Sequence, residues 1–277
     1  MIELRPLIER SRDPTRDPYS DTVQVTRVDD RSERRAIIVE MVLVGIFTFG
    51  FSALYAILSL IEMQLGAGVA ETTVALNPET SSNAVIDVLR ESLRIVRLFA
   101  IGALGVYLLW RSGFRPSAIG MGRFAARDVP PGLGLAALIG LPGLALVAAA
   151  SAFGVNAQLS PTSGDTTWWR LVLLCLVAVG NAVAEEVIVV GYLMVRLKQL
   201  GVRDGTSLIA SSLLRGGYHL YQGIGGGLGN VVMGLVFGRW YQKTNRLWPL
   251  IVAHAVIDII AFAGYALLRD HLGWLGL

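Results

Sequence analysis

Hydrophobic residues fall in long runs along this chain, and short polar segments separate the runs. A helix crossing the hydrocarbon of a bilayer needs about 20 apolar residues, since it rises only ~1.5 Å per residue. The first such run extends from about Ala36 to Ile61 and the last from about Leu247 to Leu268. Two of the intervening runs are irregular. Asp87, Arg90, Glu91, Arg94 and Arg97 recur every three or four residues, so they share one helix face. The purely apolar part after them, Leu98 to Trp110, is short for a crossing, and the charged part reads as an interfacial segment. The run near Gly229–Gly238 is short as well. The pattern predicts an all-α, polytopic transmembrane helix bundle of about seven spans.

The polar intervals set the sidedness. Arg34 and Arg35 precede the first span, whereas Glu62–Asn83 holds three Glu and no Lys or Arg. Basic residues favour the cytoplasmic face, so the N-terminus is expected inside and this interval outside. Arg111, Arg115, Arg123 and Arg127 come next, followed by Val155–Thr166 with no basic residue. Arg196, Lys198 and Arg203 precede the uncharged Gln222–Leu228, and Arg239, Lys243 and Arg246 follow it. Only Arg170 and Arg269, each alone at an outer end, break the alternation. The chain divides into a disordered cytoplasmic tail (1–35), N-terminal transmembrane helices (36–166), a helix core (167–268) and a short C-terminal tail (269–277). The expected location is the cell membrane, as a multi-pass integral protein.

Composition changes little in that picture. Only 16% of residues are charged, well below the roughly one quarter of a soluble domain. The first 35 residues alone hold eight Arg and eight acids, so the helical part is poorer still. The net charge of +3 does not imply nucleic acid, because no basic groove interleaved with aromatics accompanies it. Membrane lipids are the expected partners. The lone Cys175 excludes an intrachain disulfide and any two-Cys metal site. Gly216-Gly217, Gly234 and Gly238 are expected to permit close helix packing. Gly223–Gly229 reads as a tight connection, and Tyr221, His271 and Trp168-Trp169 as interface or core residues.

Ionisable groups inside spans are costly, by at least ~2.5 kcal/mol each. Glu40 sits near Arg35 at the inner boundary and reads as structural. Glu185 and Glu186, Arg215 and His219, and His254 and Asp258 lie deeper, in three different spans. At ~1.5 Å per residue, Glu185 is ~16 Å in from Arg196, and His219 ~21 Å from Gly205. His254 and Asp258 are ~12 and ~18 Å in from Arg246. All gather near the bilayer middle. Arg215 and His219 are four residues apart, as are His254 and Asp258, so each pair shares a face. The adjacent Glu185 and Glu186 point ~100° apart, so one can enter a cavity while the other braces a neighbouring helix. Independent polar contacts between helices are the plainer explanation. Three clusters at one depth favour a single site.

A carboxylate, two imidazoles and a further oxygen group suit water activation. In a metal-free version, Glu185 takes a proton from water with His219 as helper, while His254 and Asp258 donate to the oxyanion, Asp258 only when protonated. In the other version Glu185, His219, His254 and Asp258 hold Zn²⁺ with a position open for water. No HExxH pair supports the zinc version.

Glu185-Glu186-Val187-Ile188-Val189-Val190, Arg215 through His219, and His254-Ala255-Val256-Ile257-Asp258 fall in that order on the expected spans. Together they resemble the EExxxR, FxxxH and HxxxN/D motifs of the CAAX-protease and bacteriocin-processing (CPBP, or Abi) intramembrane proteases, over about residues 168–265. The resemblance implies a catalytic helix core at 167–268, in which Glu185 is the general base and His219 its partner. It further implies that His254 and Asp258 bind the oxyanion, with Glu186 as a supporting carboxylate. A membrane-associated peptide or protein would be the substrate. Members have been described both as metalloproteases and as glutamate-dependent proteases. Two positions depart from the motifs: Val190 stands at the Arg position and Arg215 at the Phe position. A swap is expected, with Arg215 pairing with Glu186 across helices and replacing the lost partner. The alternatives are a catalytically silent interaction or bacteriocin-immunity protein of the same fold, and a proton-coupled transporter. The transporter lacks support, since the halves show no inverted repeat.

Overall fold

Among the described residues the apolar runs become seven helices. The computed structural model describes residues 25–154, 157–160 and 167–268. Its helices are α1 (Arg31–Leu65), α2 (Ala84–Arg111), α3 (Val129–Ala152), α4 (Trp168–Gln199), α5 (Asp204–Tyr218), α6 (Ile224–Thr244) and α7 (Trp248–Leu267). Five segments of the described residues, in α1, α2, α3, α4 and α7, are long and apolar enough to cross a membrane. The shorter α5 and glycine-rich α6 pack between them.

Three local expectations are corrected. Gly223–Gly229 is not a connection: Gly223 turns the chain at φ 102° and α6 starts at Ile224, which lengthens the short sixth run to 21 residues. The charged stripe of α2 is divided, not wholly on the surface: Asp87 and Glu91 face inward and are buried, whereas Arg90 and Arg97 are exposed. Arg170, at the start of α4, donates to Asp87 at 2.9 Å and supplies a countercharge that periodicity within one helix cannot reveal. Arg170 is therefore not alone at its outer end. Finally, α1 begins at Arg31, inside the segment expected to be a disordered tail. Asp30 caps it by accepting from the Glu33 amide at 2.8 Å, and Arg34 donates to Val28 and Leu200 carbonyls. Residues 1–24 and the C-terminal tail at 269–277, including His271, lie outside the described residues.

The intervals between helices segregate into two groups, as the charge pattern requires. β1 (Thr73–Ala75) pairs in parallel with β2 (Gln158–Ser160), and the Ala157 amide donates to Gln222 O at 3.2 Å. Three intervals assigned to the outside thus touch one another. This small sheet is the one strand pairing among the described residues. At the other end, the Leu247 amide donates to Gly120 O and Asn245 to Ala118 O. There Glu40 finds its partner, which is not Arg35 but Arg196 of α4, with Nε at 2.9 Å. Tyr192, Gln199, Ser112 and Leu108 O complete that buried knot.

Glycine sets how closely α5 and α6 approach. A Cβ on Gly216 would lie 2.3 Å from a Val231 methyl and 2.8 Å from Gly227 O, and one on Gly234 2.8 Å from Ser212 Cα. Backbone contact of this kind replaces the hydrophobic drive that helices lack inside lipid. Gly234→Ala is expected to cost about 1–3 kcal/mol, through overpacking, in thermal or denaturant unfolding of the detergent-solubilised protein. Gly134→Ala, where nothing lies within 4 Å, is the matched control and is expected to cost nothing.

Candidate active site

The regular part of α4 ends at Glu185, and Glu186–Tyr192 continue as a π-helical segment. Such segments are frequent at functional sites, since the widened turn redirects side chains. The two adjacent carboxylates do diverge. Glu185 Oε2 accepts from the Tyr218 hydroxyl at 2.6 Å, and its Oε1 accepts no hydrogen bond from the described residues. Glu186 is fully buried. Its Oε1 receives both Arg215 Nη2 and His254 Nδ1, each at 2.7 Å. Glu186 therefore braces three helices, while Glu185 keeps an oxygen free.

Arg215 reaches Glu186 from α5, so the cross-helix pairing expected from the motif departures is present. Its Nη1 lies 3.7 Å from Glu185 Oε2, and its guanidinium carbon sits 5.8 Å from the Phe237 ring centroid. Val190, at the position of the motif Arg, packs in the apolar core with Leu247 and Leu250.

His219 is not within a helix, as its depth suggested. α5 stops at Tyr218, and His219 caps it with Nδ1 2.9 Å from Arg215 O. A carbonyl only accepts, so Nδ1 carries the proton and Nε2 of the neutral ring is a bare acceptor. His254 likewise commits Nδ1, to Glu186, and its Nε2 lies 3.7 Å from Asp258 Oδ2. Asn181 approaches the same Asp258 oxygen at 3.5 Å. Glu185 interacts electrostatically with both His219 and His254, and Asp258 with Glu185 and His254. The four groups thus lie within electrostatic reach of one another, on α4, α7 and the end of α5. Glu185 and His254 are buried there, at 8% and 5% exposure, while His219 and Asp258 are half-buried.

The donor set does not fit a metal in this arrangement. Among the described residues no three His, Cys, Asp or Glu side chains gather in a way that could hold an ion.

Residues 167–260 match the model of the family described as Type II CAAX prenyl endopeptidase Rce1-like. The segment is similar to that family, and the match agrees with the CPBP resemblance of the motifs. No curated protein and no solved structure matches the chain. All six candidate residues fall within the Rce1-like segment. So do three neighbours that the motifs did not single out. Asn181 precedes Glu185 by one helical turn, a spacing visible in the sequence. Tyr218 is masked there by its ordinary look as a core aromatic. Tyr221, taken above as an interface or core residue, stacks near His219 with ring centroids 6.4 Å apart and feels the charges of Glu185 and Asp258. Phe49 of α1, outside the Rce1-like segment, stacks on Tyr218 at 4.8 Å.

Proposed function

We propose that the protein is an intramembrane endopeptidase of the CAAX-protease type that hydrolyses a peptide bond of a membrane-associated peptide or protein with a water activated by Glu185. One observation carries the reading: Glu185 is held through one oxygen by Tyr218, its other oxygen accepts no hydrogen bond from the described residues, and both imidazoles act on its charge. Water placed on Glu185 Oε1 gives up a proton to that carboxylate as its oxygen attacks the substrate carbonyl. The bare His219 Nε2 accepts the water's second hydrogen bond and aims its lone pair. The carbonyl oxygen gains the negative charge, opposite His254 Nε2 and Asp258. A protonated His254, with Nδ1–H on Glu186, offers Nε2–H there, and a protonated Asp258 adds an O–H donor. Collapse of the tetrahedral intermediate breaks the C–N bond, and Glu185 returns its proton to the leaving amine. Arg215 neutralises Glu186 and keeps it from competing as a base. No step requires a metal.

The test is to incubate the purified protein, in lipid nanodiscs, with a library of membrane-associated peptides, with and without chelator, and read new termini by mass spectrometry. Cleavage indifferent to chelator is expected. No cleavage of any peptide counts against the protease reading, and loss in chelator restored by zinc counts against the metal-free mechanism. Tyr218→Phe removes one hydrogen bond to a charged group. It is expected to lower kcat about 10- to 100-fold with KM nearly unchanged, measured on whichever peptide is cut.

A further inference from the structure

Three alternate residues of α1 are phenylalanines, and the middle one differs from its neighbours. Phe47 is 78% and Phe51 51% exposed, whereas Phe49 is half-buried with its ring against the bundle. The cause is local. Ile46–Gly50 form a π-helical segment inside α1. Val44 and Ala56 are both buried, yet twelve residues of regular helix would set them ~120° apart. The wider turn brings the two onto one face and carries Phe49 toward it. Thr48 and Ser52 hydroxyls donate back to the Val44 and Thr48 carbonyls, at 2.7 and 3.3 Å, a kind of bond that bends helices.

Phe49 meets the side chain that hydrogen-bonds Glu185. Its ring centroid lies 4.8 Å from that of Tyr218, with the planes 30° apart. Four residues on, Ala53 adjoins Gly217, where an added Cβ would be 3.5 Å from the Ala53 methyl, so α1 follows the end of α5 over a full turn. Tyr218 is the last residue of α5, and no further turn of its own helix buttresses the ring. That ring touches two members of the site. Its hydroxyl donates to Glu185 Oε2 at 2.6 Å, and its centroid is 4.6 Å from that of His219. A small swing of the ring would carry the hydroxyl off the carboxylate, and the face of Phe49 is what opposes it.

We infer that Phe49 is a positioning residue of the reaction: it confines the Tyr218 ring, so that the hydroxyl stays on Glu185 Oε2 and the other oxygen of Glu185 is kept for water. The inference rests on the endopeptidase reading and deepens it, by placing control of the base on α1, outside the residues that match the family.

The test uses the full-length protein in lipid nanodiscs. On a peptide that is cut, Phe49→Ala is expected to lower kcat about 3- to 10-fold with KM nearly unchanged, the worth of one aromatic pair. In the Tyr218→Phe background, which lacks the hydroxyl, Phe49→Ala is expected to lower kcat no further. A merely structural role would give the same loss in both backgrounds. Phe49→Leu is expected to show a smaller loss with the same dependence on Tyr218, and it carries the test if the alanine variant does not fold. Phe47→Ala, on the outward face, is the control and is expected to leave kcat unchanged. No loss in whichever Phe49 variant folds, or an equal loss in both backgrounds, overturns the inference. A second readout needs no cleavage. With Tyr218 replaced by fluorotyrosine, the fluorine resonance is expected to move between the otherwise wild-type protein and Glu185→Gln, because hydroxyl and carboxylate touch. Phe49→Ala is expected to abolish that response, Phe49→Leu to reduce it and Phe47→Ala to keep it. A full response in the Phe49 variants overturns the inference. No cleavage of any peptide together with a Phe49-dependent response defeats the endopeptidase reading and leaves the linkage from Phe49 through Tyr218 to Glu185 standing.

Discussion

Glu185→Gln is expected to reduce peptide hydrolysis by about 10²–10⁴-fold, the range a general base contributes. The amide keeps the shape of the side chain and can still accept the Tyr218 hydroxyl through its oxygen, so the fold has little reason to respond. The measurement pairs single-turnover cleavage with thermal unfolding in the same lipid. Lost cleavage with an unchanged unfolding temperature marks chemistry. Biological function that survives the substitution supports the silent, immunity-type alternative instead, since a binding surface does not need the proton that Gln cannot take. Glu186→Gln is the informative contrast. Glu186 holds Arg215 and His254 through one oxygen, so its loss is expected to appear in stability as well as rate.

Arg215→Ala has the second large effect, on folding. It leaves Glu186 with an imidazole as its only partner among the described residues and removes the guanidinium 3.7 Å from Glu185. Breaking a buried ion pair from one side costs roughly 3–5 kcal/mol, because the remaining charge is stranded in low dielectric. The loss is expected in denaturant unfolding or in the yield of folded protein. The double variant Arg215→Ala/Glu186→Gln is expected to be less damaged than the sum of the single variants, by about 0.5–3 kcal/mol. Additive losses would show that the 2.7 Å contact contributes no coupling. Arg215→Lys tests geometry separately from charge, since a compact ammonium cannot reach Glu186 and lie over Phe237 as the planar guanidinium does.

Much of this arrangement was legible before any coordinates. Apolar run length marks the helices, and basic-residue alternation sorts the intervals into two groups that the β1–β2 pairing and the Gly120–Leu247 contact bear out. Spacing within α7 put His254 and Asp258 on one face. The partnership of Arg215 with Glu186 followed from charge balance: a missing guanidinium on one helix and an extra one on another leave few other solutions. These inferences succeed because each uses a property local to one helix, or a charge that must be compensated somewhere.

What the sequence by itself determined is therefore the membrane-spanning helical class, the division of the intervals into two groups and the identity of the buried ionisable groups. Tertiary structure alone decided which partner each group takes. Asp87 faces inward because Arg170 meets it, Glu40 belongs with Arg196, and α5 stops at Tyr218, which places that hydroxyl on Glu185. The π segment after Glu185 also shifts the helical phase in a way no 3.6-residue count anticipates. The physical reason is the same throughout. Burial of a charge is dictated by the chain's own composition, but its compensation depends on residues brought near by folding, from tens to more than a hundred positions away.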